Sequence, residues 1–295
     1  MQSFIIFTYN LPVIIDCHTH IFPPAVIEQR ADFVSRDPCF AELYANPKAK
    51  MITAEQLIES MDEAGIDMSV ALNIGWRSLE LCAVTNDYIM EVVAKYPRRL
   101  IGFCAVPQLS SFESVAEIER CVRGGIKGVG EIRPDIELDL SDEYGKGYFL
   151  EVMKNNKLIL LVHSSEPVGH EYAGKDLITP AVLEILVSRL LGINIICAHW
   201  GGGLPFYNLM PEVKKTLSRV CYDSAASPFL YSPQVYKEVA ALAGADKILF
   251  GSDYPVIDQQ RVLNQIKALD MSAPDKEMLL YGNAAKLFDI KTSKV

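Results

Sequence analysis

What most restricts the fold of this chain is a repeated alternation. Eight short apolar runs recur along its 295 residues. They are VIIDCH (13–18), IDMSVALN (66–73), LIGFCAVP (100–107), IKGVGEI (126–132), LILLVH (158–163), INIICAH (193–199), RVCYDSA (219–225) and KILFGSD (247–253). Nearly continuous apolar runs of this length suit strands buried on both faces, as in a parallel sheet. Helix patterns lie between them. TAEQLIESMDEAG (53–65) opens on a Thr cap and stops at Gly. SFESVAEIERCVRGG (111–125), TPAVLEILVSRLLG (179–192) and PQVYKEVAALAG (233–244) follow the same grammar, and SAPDKEMLLYGNAAKLFDI (272–290) closes the chain with one or two helices.

Eight strand–helix units predict an α/β fold, a (β/α)8 TIM barrel, which typically needs about 250 residues. A doubly wound sheet would want a Gly-rich phosphate loop after the first strand, but HTHIFPP stands there (18–24). No linker or low-complexity run divides the chain, so 1–295 reads as one domain. Residues 1–12 form an apolar N-terminal extension. The long irregular stretch 21–52 is expected to hang over the barrel mouth.

Half of the residues are hydrophobic and 22% are charged, as in a soluble globular protein. The formal net charge of −9 argues against non-specific nucleic-acid binding, which needs Lys and Arg facing phosphates. No apolar stretch reaches the roughly 18–20 residues of a spanning helix. The N-terminal run lacks a basic lead and is broken by Pro12 and Asp16, so no signal peptide and no membrane partner are expected. Seven scattered cysteines without a CxxC pair read as reduced core thiols of a cytoplasmic protein.

The chemistry is expected at the strand ends. His18 and His20, two apart, face the same way on a strand, with Cys17 and Thr19 facing the other. His163 ends LILLVH, His199 ends INIICAH, and Asp253 ends KILFGSD. Of five histidines only His170 is away from a strand end. Imidazoles and a carboxylate gathered at the open end of a barrel point to a metal site. The donor set suits Zn2+, with Mn2+ or another divalent ion as the alternatives. Glu131, at the end of the fourth run, is either a further ligand or a structural carboxylate paired with Arg133. Arg133 and Arg77 offer guanidinium donors for a substrate carboxylate or phosphate. His170 lies on a polar loop, SSEPVGHEYAGK (164–175), over the same mouth and is a candidate substrate contact. Trp200, beside three glycines in HWGGG, reads as packing.

The series DCHTH, VHSSE, CAHWGG, LFGSDYP and NAAKLF resembles the amidohydrolase superfamily, above all its amidohydrolase-2 branch of aminocarboxymuconate semialdehyde decarboxylase-like enzymes. The resemblance runs from Asp16 to Phe288. It implies that His18, His20, His163 and Asp253 bind the metal. It makes Asp253 a proton carrier in hydrolytic members. His199 becomes an acid/base in decarboxylase-like members and a ligand in two-metal ones. Glu131 resembles the bridging Glu of the metal-dependent DNase relatives.

The leading expectation is a metal-dependent hydrolase of a C–N, lactone or related ester bond in a small polar substrate. A metal-activated water would attack, with Asp253 and His199 moving protons. The alternative is a metal-dependent, non-oxidative decarboxylase of an aromatic or unsaturated carboxylic acid. One metal is favoured over two, and a homodimer or homotetramer is the assembly that the resemblance implies.

Overall fold

The structure, a computed structural model, describes residues 13–135 and 141–290. The expected extension 1–12 lies outside the described residues. All eight apolar runs are strands: β1 Ile15–His20, β2 Met68–Leu72, β3 Leu100–Cys104, β4 Gly128–Ile132, β5 Ile159–Val162, β6 Asn194–Cys197, β7 Val220–Asp223 and β8 Ile248–Leu249. They pair in parallel in the order of the chain. Backbone bonds bring the last strand back to the first: Cys17 N–H donates to the Phe250 carbonyl at 2.7 Å and Asp253 N–H to the His18 carbonyl at 2.9 Å. The result is a single-domain (β/α)8 barrel.

Two helices are capped as the sequence predicts, whereas Thr179 makes no side-chain cap to Pro180–Arg189, which ends before Gly192, and Gln234–Ala243 starts after Pro233 without a side-chain cap. Thr53 and Gln56 form a capping box at the start of helix Ala54–Ala64, and Gly65 ends that helix at φ 72°. Ser111 caps Phe112–Arg123 by accepting the Ser114 N–H. Helices Leu79–Lys95, Glu143–Asn155 and Gln259–Ala268 were not singled out from the sequence. One apolar cluster joins the strands to the helix layer. A second gathers Ile15, Cys17, Val70, Phe103, Leu161, Ile196 and Leu249. Residues from strands spaced around a ring can meet only in its middle, so this cluster fills the barrel.

Two ladders carry one extra residue. In β1, Asp16 pairs with Ser69 but Thr19 with Ala71; in β4, Val129 pairs with Leu160 but Ile132 with Val162. Such irregularities re-aim side chains and concentrate beside active sites. Here they fall at His18 and Glu131. The expected alternation is corrected at Cys17: it packs inside the barrel, yet His18 also turns into the mouth. Gly130 makes the β4 irregularity feasible, since a Cβ there would stand 2.6 Å from the Leu161 carbonyl oxygen.

The stretch 21–52 is less irregular than expected. It holds three short helices, Pro24–Glu28, Arg30–Arg36 and Pro38–Tyr44. Phe22, just before them, and their Phe33, Phe40 and Tyr44 pack with Trp76, whose ring stacks on Phe40 at 5.0 Å. An apolar cluster of this kind lets short helices persist that are marginal alone. Among the described residues no helix is long and apolar enough to cross a membrane. All seven cysteines are free.

Candidate metal centre

Four of the five histidines meet at the C-terminal mouth, together with Glu131 and Asp253, and all six side chains are buried. His18 and His20 approach through their Nε2 atoms at 3.1 Å. Asp253 Oδ1 lies 3.4 Å from His20 Nε2 and 3.6 Å from His18 Nε2. Glu131 Oε2 is 3.6 Å from His20 Nε2 and 3.9 Å from His18 Nε2, while Glu131 Oε1 is 3.4 Å from His199 Nε2. Two sets of donor atoms converge closely enough to share a cation: His18, His20 and Asp253, and His18, Glu131 and His199.

The tautomers favour a cation. His20 Nδ1 faces the Asn73 carbonyl at 3.1 Å, and a carbonyl only accepts, so the proton sits on Nδ1. His18 Nδ1 donates to Asp223 Oδ2 at 2.9 Å. In the neutral rings both Nε2 lone pairs therefore point at each other. A proton or a metal ion must stand between them. Burial works against a charged His18, but the carboxylates of Asp223, Glu131 and Asp253 outweigh it and push its pKa up to about 10. Burial likewise opposes charge on His199, and Glu131 and Asp253 outweigh it, giving about 9. Burial disfavours charge on Glu131 and Asp253 too. His163 and other neighbours nevertheless hold Glu131 well below the usual carboxylate range, and His20 and His18 lower Asp253. The mouth is thus a buried anionic cup with imidazole donors, and these residues fit a divalent metal ion.

His199 stands on unusual backbone. His199, Trp200, Gly201 and Gly202 all lie in the left-handed region, at φ 52°, 59°, 58° and 58°. The turn is held by His199 N–H donating to Asp223 Oδ1 at 2.9 Å, and by Trp200 Nε1–H donating to Ser227. Trp200 is buried against Tyr236 and packs, as expected. Non-glycine residues in this region are uncommon and cluster at functional sites.

The structure does not bring every candidate together. His163 Nδ1 lies 2.7 Å from Glu131 Oε1, and its Nε2 turns to the following loop, 3.1 Å from the Gly174 carbonyl and 3.3 Å from Ser165 Oγ. It therefore braces Glu131 and belongs to neither convergent set. Arg133 is buried and pairs with Asp176 at 3.1 Å, rather than with Glu131. Arg77 donates to the Arg133 carbonyl at 3.0 Å, and both arginines line a small cavity with Trp76. His170 is exposed, its ring against Tyr172. Tyr44 comes from the covering helices, and burial, followed by the Asp253 charge, raises its pKa. Three supporting residues went unread in the sequence. Asp223 ends β7 as the histidines end their strands, which was a legible signal. Asn73 acts through its backbone carbonyl and Ser165 through a loop, and neither leaves a motif.

Comparison with known proteins corrects the functional expectation. The chain is 23% identical to 2-amino-3-carboxymuconate-6-semialdehyde decarboxylase of Dictyostelium discoideum, over 95% of this chain and 92% of that one. It is 23% identical to gamma-resorcylate decarboxylase of Polaromonas sp. (strain JS666 / ATCC BAA-500), over 80% and 87%. A solved structure of 5-carboxyvanillate decarboxylase from Novosphingobium aromaticivorans DSM 12444, complexed with manganese, superposes with a TM-score of 0.77 at 19% identity, covering 96% and 98% of the two chains. These relatives carry decarboxylase names, so the expectation of a hydrolase does not stand. A divalent metal is supported, and zinc in particular is not. The amidohydrolase family model matches residues 15–290, so this chain is an enzyme like its relatives and belongs to the amidohydrolase-2 family.

Proposed function

We propose that this protein is a non-oxidative decarboxylase of a small aromatic or unsaturated carboxylic acid, working with one divalent ion. His18, His20 and Asp253 would hold the ion, with Glu131 facing it from β4. When bound, the ion supplies a positive anchor for substrate oxygens and an electron-withdrawing centre. One observation carries the single-ion reading. His18 Nε2 belongs to both convergent donor sets, and its Nδ1 is already taken by Asp223. One lone pair serves one ion, which leaves His199 free.

His199 then has the setting of an acid. Its Nδ1 faces the Ala225 carbonyl at 3.3 Å and its Nε2 faces Glu131, so both nitrogens find acceptors when the ring is protonated. In the reaction the bond from the substrate carbon to its carboxylate breaks. Carbon dioxide leaves, the electron pair stays on the carbon, and the His199 Nε2 proton is transferred to it. Arg133, with Arg77 behind it, offers positive charge for an anionic or phenolic group on the substrate. Tyr44 lies near enough to Asp253 and Glu131 to feel their charge, and Phe22 and Phe40 pack against its ring, which gives the site an apolar flank.

The test loads metal-free protein with manganese or zinc and offers hydroxybenzoic and unsaturated carboxylic acids. Carbon dioxide release in deuterated water, with deuterium at the vacated carbon, is the expected result. His199→Gln should keep its ion and lose turnover by roughly 10²–10⁴-fold. Two ions per chain at full occupancy, or loss of the ion from His199→Gln, would overturn the reading.

A further inference from the structure

Asn86 lies within helix Leu79–Lys95, is fully buried, and uses its amide at four points. Its Oδ1 accepts the Ala105 backbone N–H at 2.8 Å and Asn73 Nδ2–H at 3.3 Å. Its Nδ2 donates to the Ala105 carbonyl at 3.0 Å and to Glu117 Oε1 at 2.8 Å. Ala105 and Asn73 directly follow β3 and β2. One side chain therefore ties a helix to two strand ends at the barrel mouth. Glu117 is itself gripped by Arg120, whose Nε and Nη2 donate to its two oxygens at 2.7 Å and 2.8 Å. Arg120 also bonds Asp87 at 2.6 Å.

The other end of this chain is the candidate metal centre. The Asn73 carbonyl is the acceptor for His20 Nδ1–H. Asn73 lies beyond the β2–β3 register, which ends at Ala71 and Gly102. On its other side the β1–β2 ladder reaches His20 and Leu72, and the side-chain bond to Asn86 is the further restraint on where the Asn73 carbonyl points. We infer that Asn86 is a positioning residue for His20, setting the Asn73 carbonyl so that His20 keeps its proton on Nδ1 and its lone pair on Nε2. The inference rests on the reading of His20 as a metal ligand. Partners behind a ligating histidine fix its tautomer and ring orientation, and losing one typically costs 10–100-fold in metal affinity.

A purely structural Asn86 would hold the helix on the barrel and nothing more, so the test must separate stability from ligand geometry. Manganese binding to metal-free protein is measured by competition with a chelator. The His20 tautomer is read from 15N signals of labelled imidazole in the metal-free state. Asn86→Ala should weaken manganese binding at least tenfold and replace the single Nδ1–H tautomer by a mixture. Glu117→Gln keeps an acceptor for Asn86 but loses the charge that Arg120 grips. It should lower the melting temperature with manganese affinity near wild type. Should Asn86→Ala fail to fold, Asn73→Ala carries the same expectation, because it keeps the carbonyl and removes only its link to Asn86. A folded Asn86→Ala or Asn73→Ala with wild-type manganese affinity and an unchanged His20 signal overturns the role of Asn86. Failure of the wild-type protein to bind manganese would instead sink the metal reading, and the tautomer signal would still decide the role of Asn86.

Discussion

Asp223 accepts the His18 Nδ1–H at 2.9 Å, with both side chains fully buried. Its second oxygen accepts the backbone N–H of His199 at 2.9 Å and that of Ala225 at 3.1 Å. One carboxylate thus sets the ring of a candidate ligand and the turn that carries the candidate acid.

Asp223→Asn tests this double use. Asparagine has one acceptor oxygen, so either His18 Nδ1–H or the His199 N–H must face an amide N–H. A buried donor left unpaired costs about 1–3 kcal/mol. Manganese affinity should fall about 10–100-fold, measured by chelator competition, and thermal unfolding should shift down.

The raised histidines predict a pH dependence. His18, near 10, and His199, near 9, hold protons more firmly when folded than at the ordinary value of 6.5. Their contribution to stability is complete below about pH 6.5 and is lost as pH rises through the folded values. Metal-free protein should lose on the order of a few kcal/mol between about pH 7 and 10 in denaturant titrations. Manganese competes with the same proton, so its affinity should climb over that window. A flat stability profile would contradict this.

Chelation should abolish activity and spare the fold. The barrel and its helix layer bury two large apolar clusters, so no metal staple is needed, unlike in small zinc domains. Far-UV circular dichroism should stay nearly unchanged after metal removal, and global unfolding would count against the assignment.

Gly202→Ala probes the left-handed turn. An added Cβ would collide with the Ser165 carbonyl oxygen, at a φ of 58° that alanine disfavours. The expected cost is about 1–3 kcal/mol of stability. Because the turn carries His199, turnover should fall further than manganese affinity.

The sequence by itself determined the barrel. Strands buried on both faces must be apolar throughout, and helices need capping residues at their ends, so VIIDCH or TAEQLIESMDEAG reveals its state locally. The same logic placed His18, His20, His163, His199 and Asp253 at strand ends, and so at one mouth. Which of them bring their donor atoms within reach of one another was decided only in three dimensions. The extra residues in β1 and β4 aim His18 and Glu131 inward, and no periodicity announces an irregularity of one residue. His163 sets Nδ1 against Glu131 and Nε2 against a loop carbonyl, a contact made between distant parts of the chain. Asp223, Asn73 and Asn86 act through bonds that span 205, 53 and 13 residues of chain, and local patterns do not encode contacts of that range.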